Sequence, residues 1–187
     1  QQLVGDGPET GEFVPSLPVL EQMWKQAWAA YQARKKQQGR AARSKNGKRG
    51  KKAPYPALRP RINPDVGFEL IQTALRHGRP LLAQRVLAQL EGVLPQPMGL
   101  LPHDAMTPQQ VVLWRHQAVY EALRGECLRA LGQWRGARTH YERSLQLHEL
   151  LVAHTGASEA KRDLAITLEK LGTVLQSLGK LDAAQGL

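Results

Sequence analysis

From Val19 to Gln38, the apolar residues Leu20, Met23, Trp24, Ala27, Trp28 and Tyr31 recur at three- and four-residue spacing, which predicts an amphipathic helix. Ser16 and Pro18 supply its start. Trp24, Trp28 and Tyr31 fall on one broad face of that helix. The face either docks on the rest of the protein or anchors a partner. Docking is favoured, because an isolated exposed aromatic stripe is a solubility liability.

Beyond Pro64 the pattern is helical again. One pair of helices is predicted over Asp65–His77 and Pro80–Val93, broken at His77-Gly78-Arg79. Residues 94–108 contain four prolines and no helical run, which makes a long connection for a compact domain. Thr107 followed by Pro108 has the form of an N-cap and a first-turn proline. A long helix to Leu131 comes next, then one over Trp134–His154 and one over Ser158–Leu178. Gly179 is expected to break the last of these, with the final seven residues opening one more helix.

The segments RGECLRALGQWRGA (124–137) and LGTVLQSLGKLDAA (171–184) align without a gap at a separation of 47 residues. Gly125 matches Gly172, Leu128 matches Leu175, Leu131 matches Leu178 and Gly132 matches Gly179. Trp134 then matches Leu181, and Ala137 matches Ala184. A weaker copy lies at 69–87, where Gly78, Ala83 and Leu87 correspond to Gly132, Ala137 and Tyr141. This arrangement resembles the tetratricopeptide repeat (TPR) family: a small residue within a first helix, Gly at the turn, a large apolar residue after it, then Ala and an aromatic in the second helix. The spacing departs from the family's usual repeat of about 34 residues, which implies lengthened helices.

The resemblance implies an all-α fold in which antiparallel helix pairs stack as a TPR-like solenoid, each pair covering the open face of the one before. An ordinary helical hairpin bundle without repeat stacking is the alternative. The expected organisation is an extended leader over 1–18, the N-terminal helix over 19–38, a flexible basic linker over 39–64 and the repeat domain over 65–187. That domain is expected to be incomplete at its C-terminal end, because a repeat array needs a finished cap.

Charge sharpens the picture. The net charge of +10 is local: 12 of the 26 Lys and Arg residues lie between Arg34 and Arg61, with no acidic residue among them. They are Arg34, Lys35, Lys36, Arg40, Arg43, Lys45, Lys48, Arg49, Lys51, Lys52, Arg59 and Arg61. The remaining basic residues are slightly outnumbered by the 16 Asp and Glu, so the basicity is a local device. Such a run neutralises phosphates and gives salt-sensitive, sequence-poor binding to nucleic acid. It also suits an acidic protein or lipid surface, a nuclear-import-like signal if the source is eukaryotic, or a solvated tether.

Catalytic patterns are absent from the sequence. No phosphate-binding glycine loop ends in Lys-Ser or Lys-Thr, and no His-Glu-x-x-His or nucleophile elbow occurs. The single cysteine, Cys127, reads as a small buried residue in a helix. The six histidines are scattered; His140 and His148 share a helix but read as surface residues, and His103-Asp104 as part of the loop. Glu142/Glu149 and Glu159/Asp163 read as solvated helix faces. No cofactor and no metal are expected.

In TPR proteins, peptides lie on the concave surface lined by the first helix of each pair. Carried onto this sequence, the resemblance implies a partner-binding lining of Val119, Ala122, Glu126 and Arg129, with Ile166, Glu169, Thr173 and Gln176 in the next copy. Gly125, Gly132, Trp134, Ala137, Tyr141, Gly172, Gly179, Leu181 and Ala184 would carry the repeat structure. The lining lacks a carboxylate clamp of several Lys, Arg and Asn. The expected function is a non-enzymatic scaffold or adaptor for protein partners, with the basic arm adding electrostatic attachment and self-association through the open C-terminal end as a further option. The alternatives are a nucleic-acid-binding accessory subunit and a regulatory fragment of a larger enzyme. No stretch reaches the roughly 18 apolar residues of a membrane span, and a cytoplasmic location is expected.

Overall fold

A computed structural model describes residues 15–45, 62–94 and 106–185, with the backbone alone described for 38–45 and 181–185. The leader up to residue 14, the basic stretch 46–61 and most of the proline-rich connection lie outside the described residues. The described residues form six helices and no strand: α1 (Leu17–Lys45), α2 (Pro64–Arg76), α3 (Pro80–Glu91), α4 (Pro108–Ala130), α5 (Trp134–Thr155) and α6 (Ser158–Gln185). The fold class is all-α.

Local chemistry sets most of the boundaries. Asn63 Oδ1 accepts the Asp65 N–H at 3.0 Å ahead of α2. At α4, Thr107 Oγ1 accepts the Gln110 N–H at 3.3 Å while Gln110 Oε1 accepts the Thr107 N–H at 2.7 Å, a reciprocal cap that satisfies two donors. The α2–α3 and α4–α5 turns close in the same way. Gly78 and Gly132 take φ of 65° and 73°, and the next residue's N–H reaches back to Ala74 O and Leu128 O, each at 2.8 Å.

Two boundaries differ from the sequence reading. Helix α1 continues past Gln38 and Gly39 to Lys45. Arg40 to Lys45 are mostly good helix formers, and one interior glycine costs about 1 kcal/mol relative to Ala, too little to end an established helix. For the same reason α6 runs through Gly179 to Gln185, so the residues expected to open a new helix instead prolong α6. The sequence match between Gly132 and Gly179 therefore does not extend to backbone conformation.

Helix α1 packs on α2, α2 on α3, and α4 on both α2 and α3; α4 packs most extensively on α5, and α5 on α6. One apolar core joins α1 to α4 through Trp24, Phe68, Ile71, Val86, Leu90, Tyr120, Leu123 and Cys127. The aromatic stripe docks: Trp24 is buried, and its Nε1–H donates to Gln89 Oε1 on α3 at 2.6 Å. Trp28 stacks between Trp24 and Tyr31, with centroids 6.2 and 5.3 Å away. A second cluster joins α5 and α6 through Ala137, Tyr141, Leu171 and Val174, flanked by Leu128, Trp134 and Leu178. Among the described residues no helix is long and apolar enough to cross a membrane.

Candidate partner-binding surface

Helices α4 and α6 follow one another across α5, and ion pairs tie them together. The Arg115 guanidinium bonds to the Glu159 carboxylate and lies 4.0 Å from that of Asp163. Toward the other end, Lys170 Nζ donates to Glu126 Oε2 at 3.1 Å, and Arg129 sits 4.0 Å from the same carboxylate. Both bonded pairs join residues 44 apart. Partly solvated pairs of this kind contribute about 0–1 kcal/mol each, so they align the two helices more than they stabilise them. Glu159 and Asp163 are thus bridging residues, not simply solvated ones.

The lining expected from the sequence splits in two. On α4, Val119, Ala122, Glu126 and Arg129 are all half-buried, with Val119 packed on the core and Glu126 engaged by Lys170. On α6, Ile166, Glu169, Thr173 and Gln176 are exposed, and the Thr173 hydroxyl is returned to Glu169 O at 3.1 Å. The accessible part of this surface therefore belongs mainly to α6. Lys170 and Arg115 were missed from the sequence, and Glu159 was read only as a solvated carboxylate, because cross-helix register is needed to place them beside their partners.

Of the basic run, Arg34, Lys35 and Lys36 are exposed on α1. Arg40, Arg43 and Lys45 lie on its helical continuation, where the backbone alone is described. Lys48, Arg49, Lys51, Lys52, Arg59 and Arg61 lie outside the described residues. Of the residues expected to carry the repeat, Leu181 and Ala184 continue the α6 backbone, without side-chain description.

Between α4 and α5 runs a polar strip. Gln117 Nε2 donates to Glu121 Oε1 at 3.2 Å, and Glu121 Oε2 lies 2.7 Å from His140 Nδ1. The Ser144 hydroxyl donates to Ala118 O at 2.9 Å. His148 is 2% exposed, and among the described residues neither its Nδ1 nor Gln117 Oε1 has a hydrogen-bond partner. Of the two histidines expected on the surface, His148 is therefore an interior group and His140 is half-buried against Glu121 of α4. Burial pushes the His148 imidazole below its ordinary value, with the Arg115 charge adding to the effect and Asp163 opposing it.

The Tyr141 hydroxyl is near the Arg129 guanidinium but forms no hydrogen bond of good geometry. Burial, aided by the Glu126 carboxylate, pushes its pKa up to about 12. Cys127 is buried, its Sγ 3.4 Å from Pro80 O, and burial raises its thiol pKa. That environment favours the thiol over the reactive thiolate. No group of three or more His, Cys, Asp and Glu side chains among the described residues is placed to hold a metal ion.

Compared with known proteins, the chain matches no family model, no curated protein and no solved structure.

Proposed function

We propose that the protein is a non-catalytic scaffold, built from TPR-like helix pairs, that binds protein partners along the accessible side of α4 and α6. The observation that carries this reading is the bridging of α4 to α6, the two helices that share the 47-residue sequence match, by Arg115–Glu159 and Glu126–Lys170. Two further features support it. Helix α4 rests on both helices of the preceding pair, as stacking requires. The α2–α3 and α4–α5 turns share one backbone solution at Gly78 and Gly132.

The test is photo-crosslinking in extracts of the source cell, with a photoreactive residue at Gln176 or, as control, at Arg143 on the exposed side of α5. A discrete protein captured from Gln176 and not from Arg143 is the expected result. Equal capture from both positions, or none from either, would remove this surface from consideration.

A second reading has its own support. The continuation of α1 to Lys45 places Arg34, Lys35, Lys36, Arg40, Arg43 and Lys45 on one helix whose single acidic residue is Glu21. We infer a polyanion-attachment element, with nucleic acid as the target. Its test is fluorescence anisotropy of labelled DNA and RNA over a salt series, comparing the intact chain with one lacking residues 34–61. Binding that falls steeply with salt and requires 34–61 is expected; no binding at low salt would end this reading.

A further inference from the structure

His148 is enclosed where three helices meet. It belongs to α5 and is buried, and its Nδ1 has no hydrogen-bond partner among the described residues. Its neighbours one turn away along α5, Ser144, Leu145, Leu151 and Val152, carry no charge. The charges that act on it come from the other two helices, Asp163 of α6 and Arg115 of α4. The Asp163 carboxylate is already matched: Arg115 Nη2 lies 4.0 Å from it and Arg162 Nε lies 3.9 Å from it. An imidazolium at His148 is a third cation on that carboxylate, shut off from solvent and without an acceptor for its Nδ1–H.

The histidines at the other helix junctions are placed differently. His140 Nδ1 lies 2.7 Å from Glu121 Oε2, between α5 and α4, and His116 Nε2 lies 3.4 Å from Asp65 Oδ1, between α4 and α2. A proton added to either ring faces a carboxylate and draws its two helices together. A proton on His148 has the opposite sense, and it acts where α6 meets α4 and α5. The fastening there is also light. Helix α6 packs on α5, but its ties to α4 are partly solvated side-chain pairs, which hold weakly in water. Between α5 and α6 only Gly156 and Ala157 lie outside helix, with Gly156 at φ 61°. That short link is a pivot.

We propose that His148 is an acid-operated latch: the proton it takes up swings α6 away from α4 and α5 about Gly156, while α1 to α5 stay folded. Opening brings water to the imidazolium and uncovers Tyr141, Leu171 and Val174 of the α5–α6 cluster. Asp163 opposes the motion, but burial is the largest influence on the ring and Arg115 acts with it. The open form takes up the proton at the ordinary histidine value of about 6.5, and the closed form only at lower pH. The closed form is therefore favoured above about 6.5 and loses ground as pH falls below it. The same motion parts Arg115 from Glu159 and Lys170 from Glu126, so acid dismantles the α4–α6 face.

Amide hydrogen exchange of the full chain at about pH 7.5 and about pH 5.5, corrected for the intrinsic exchange rate, is the test. Protection in α6 should fall by about tenfold, the most that one proton allows per pH unit below about 6.5, while α2 and α3 keep theirs. His148→Gln should abolish the fall, whereas His116→Gln and His140→Gln should retain it. Circular dichroism at both pH values confirms that each variant is folded. Unchanged protection in α6 overturns the proposal. So does an equal loss in α2, α3 and α6, which is global acid unfolding, and so does a fall that His148→Gln leaves in place. If His148→Gln does not fold, an NMR titration of the His148 ring in the native chain replaces it. Protection in α6 must then fall as that ring protonates, and opening of α6 while the ring stays neutral overturns the proposal.

Discussion

The Trp24 indole occupies the space in which residue 67 would carry a side chain: a Cβ on Gly67 would lie 2.8 Å from Trp24 Cζ3 and 3.1 Å from Leu90 Cδ1. This contact fixes α1 to the α2–α3 pair, and the Trp24–Gln89 hydrogen bond fixes its register. Trp24→Ala should therefore cost about 3–5 kcal/mol, read as a shift of the urea midpoint. A loss below about 1 kcal/mol would mean that α1 is not docked in solution.

The two sequence-matched glycines should respond in opposite directions. A Cβ on Gly125 meets three Tyr141 ring atoms at 3.1 Å, so Gly125→Ala must push the ring aside, at about 1–3 kcal/mol. Gly172 lies inside a helix with no described atom within 4 Å of its Cβ position, so Gly172→Ala should gain about 0.5–1 kcal/mol. Thermal unfolding of the two variants decides the matter. Equal destabilisation would show that α6 is covered as α4 is.

Tyr141 titrates late. Its folded pKa, raised to about 12, exceeds the ordinary value near 10. The unfolded chain therefore loses the phenolic proton first, and stability falls as pH rises from about 10 toward 12. Tyr141→Phe should remove that alkaline loss. At neutral pH it should be neutral or stabilising by up to about 1 kcal/mol, since the hydroxyl lacks a good partner where it is buried. Melting temperatures at pH 7 and pH 11 give both readings.

His148 gives the acid counterpart. Its folded pKa is lowered, so the unfolded chain binds the proton more readily. Its contribution is complete above the unfolded value of about 6.5 and is lost as pH falls below it. His148→Leu should flatten the decline in melting temperature between pH 7.5 and pH 5 relative to the native chain. An unchanged slope would assign the acid sensitivity to other groups.

Much of the fold was legible because it is encoded locally. Thr107-Pro108 announced the start of α4, and Gly78 and Gly132 announced their turns. The recurrence of Trp24, Trp28 and Tyr31 located the docking face of α1. Gly39 and Gly179 misled for a shared reason. Glycine permits a turn but does not compel one, and whether the chain turns depends on the residues after it and on the surfaces they can pack against. The expected α4 lining was legible as a face but not as an occupied one, because Lys170 comes from the next helix of the stack. Glu121–His140 and the burial of His148 depend on antiparallel register across α4 and α5.

The continuation of α1 changes what its cations are mechanically. Among the described side chains of α1, Tyr31 is the last buried one, and the helix runs fourteen residues further to Lys45, about 21 Å at 1.5 Å per residue. A flexible tether would let its charges wander independently of the folded helices. A helix that is anchored by two tryptophans is a lever. The direction in which Arg34 to Lys45 leave the domain is set by the seat of Trp24 on Gly67. An anionic surface gripped by that lever would hold the α4–α6 face at a defined orientation, and loosening Trp24 would free the orientation without removing a single charge.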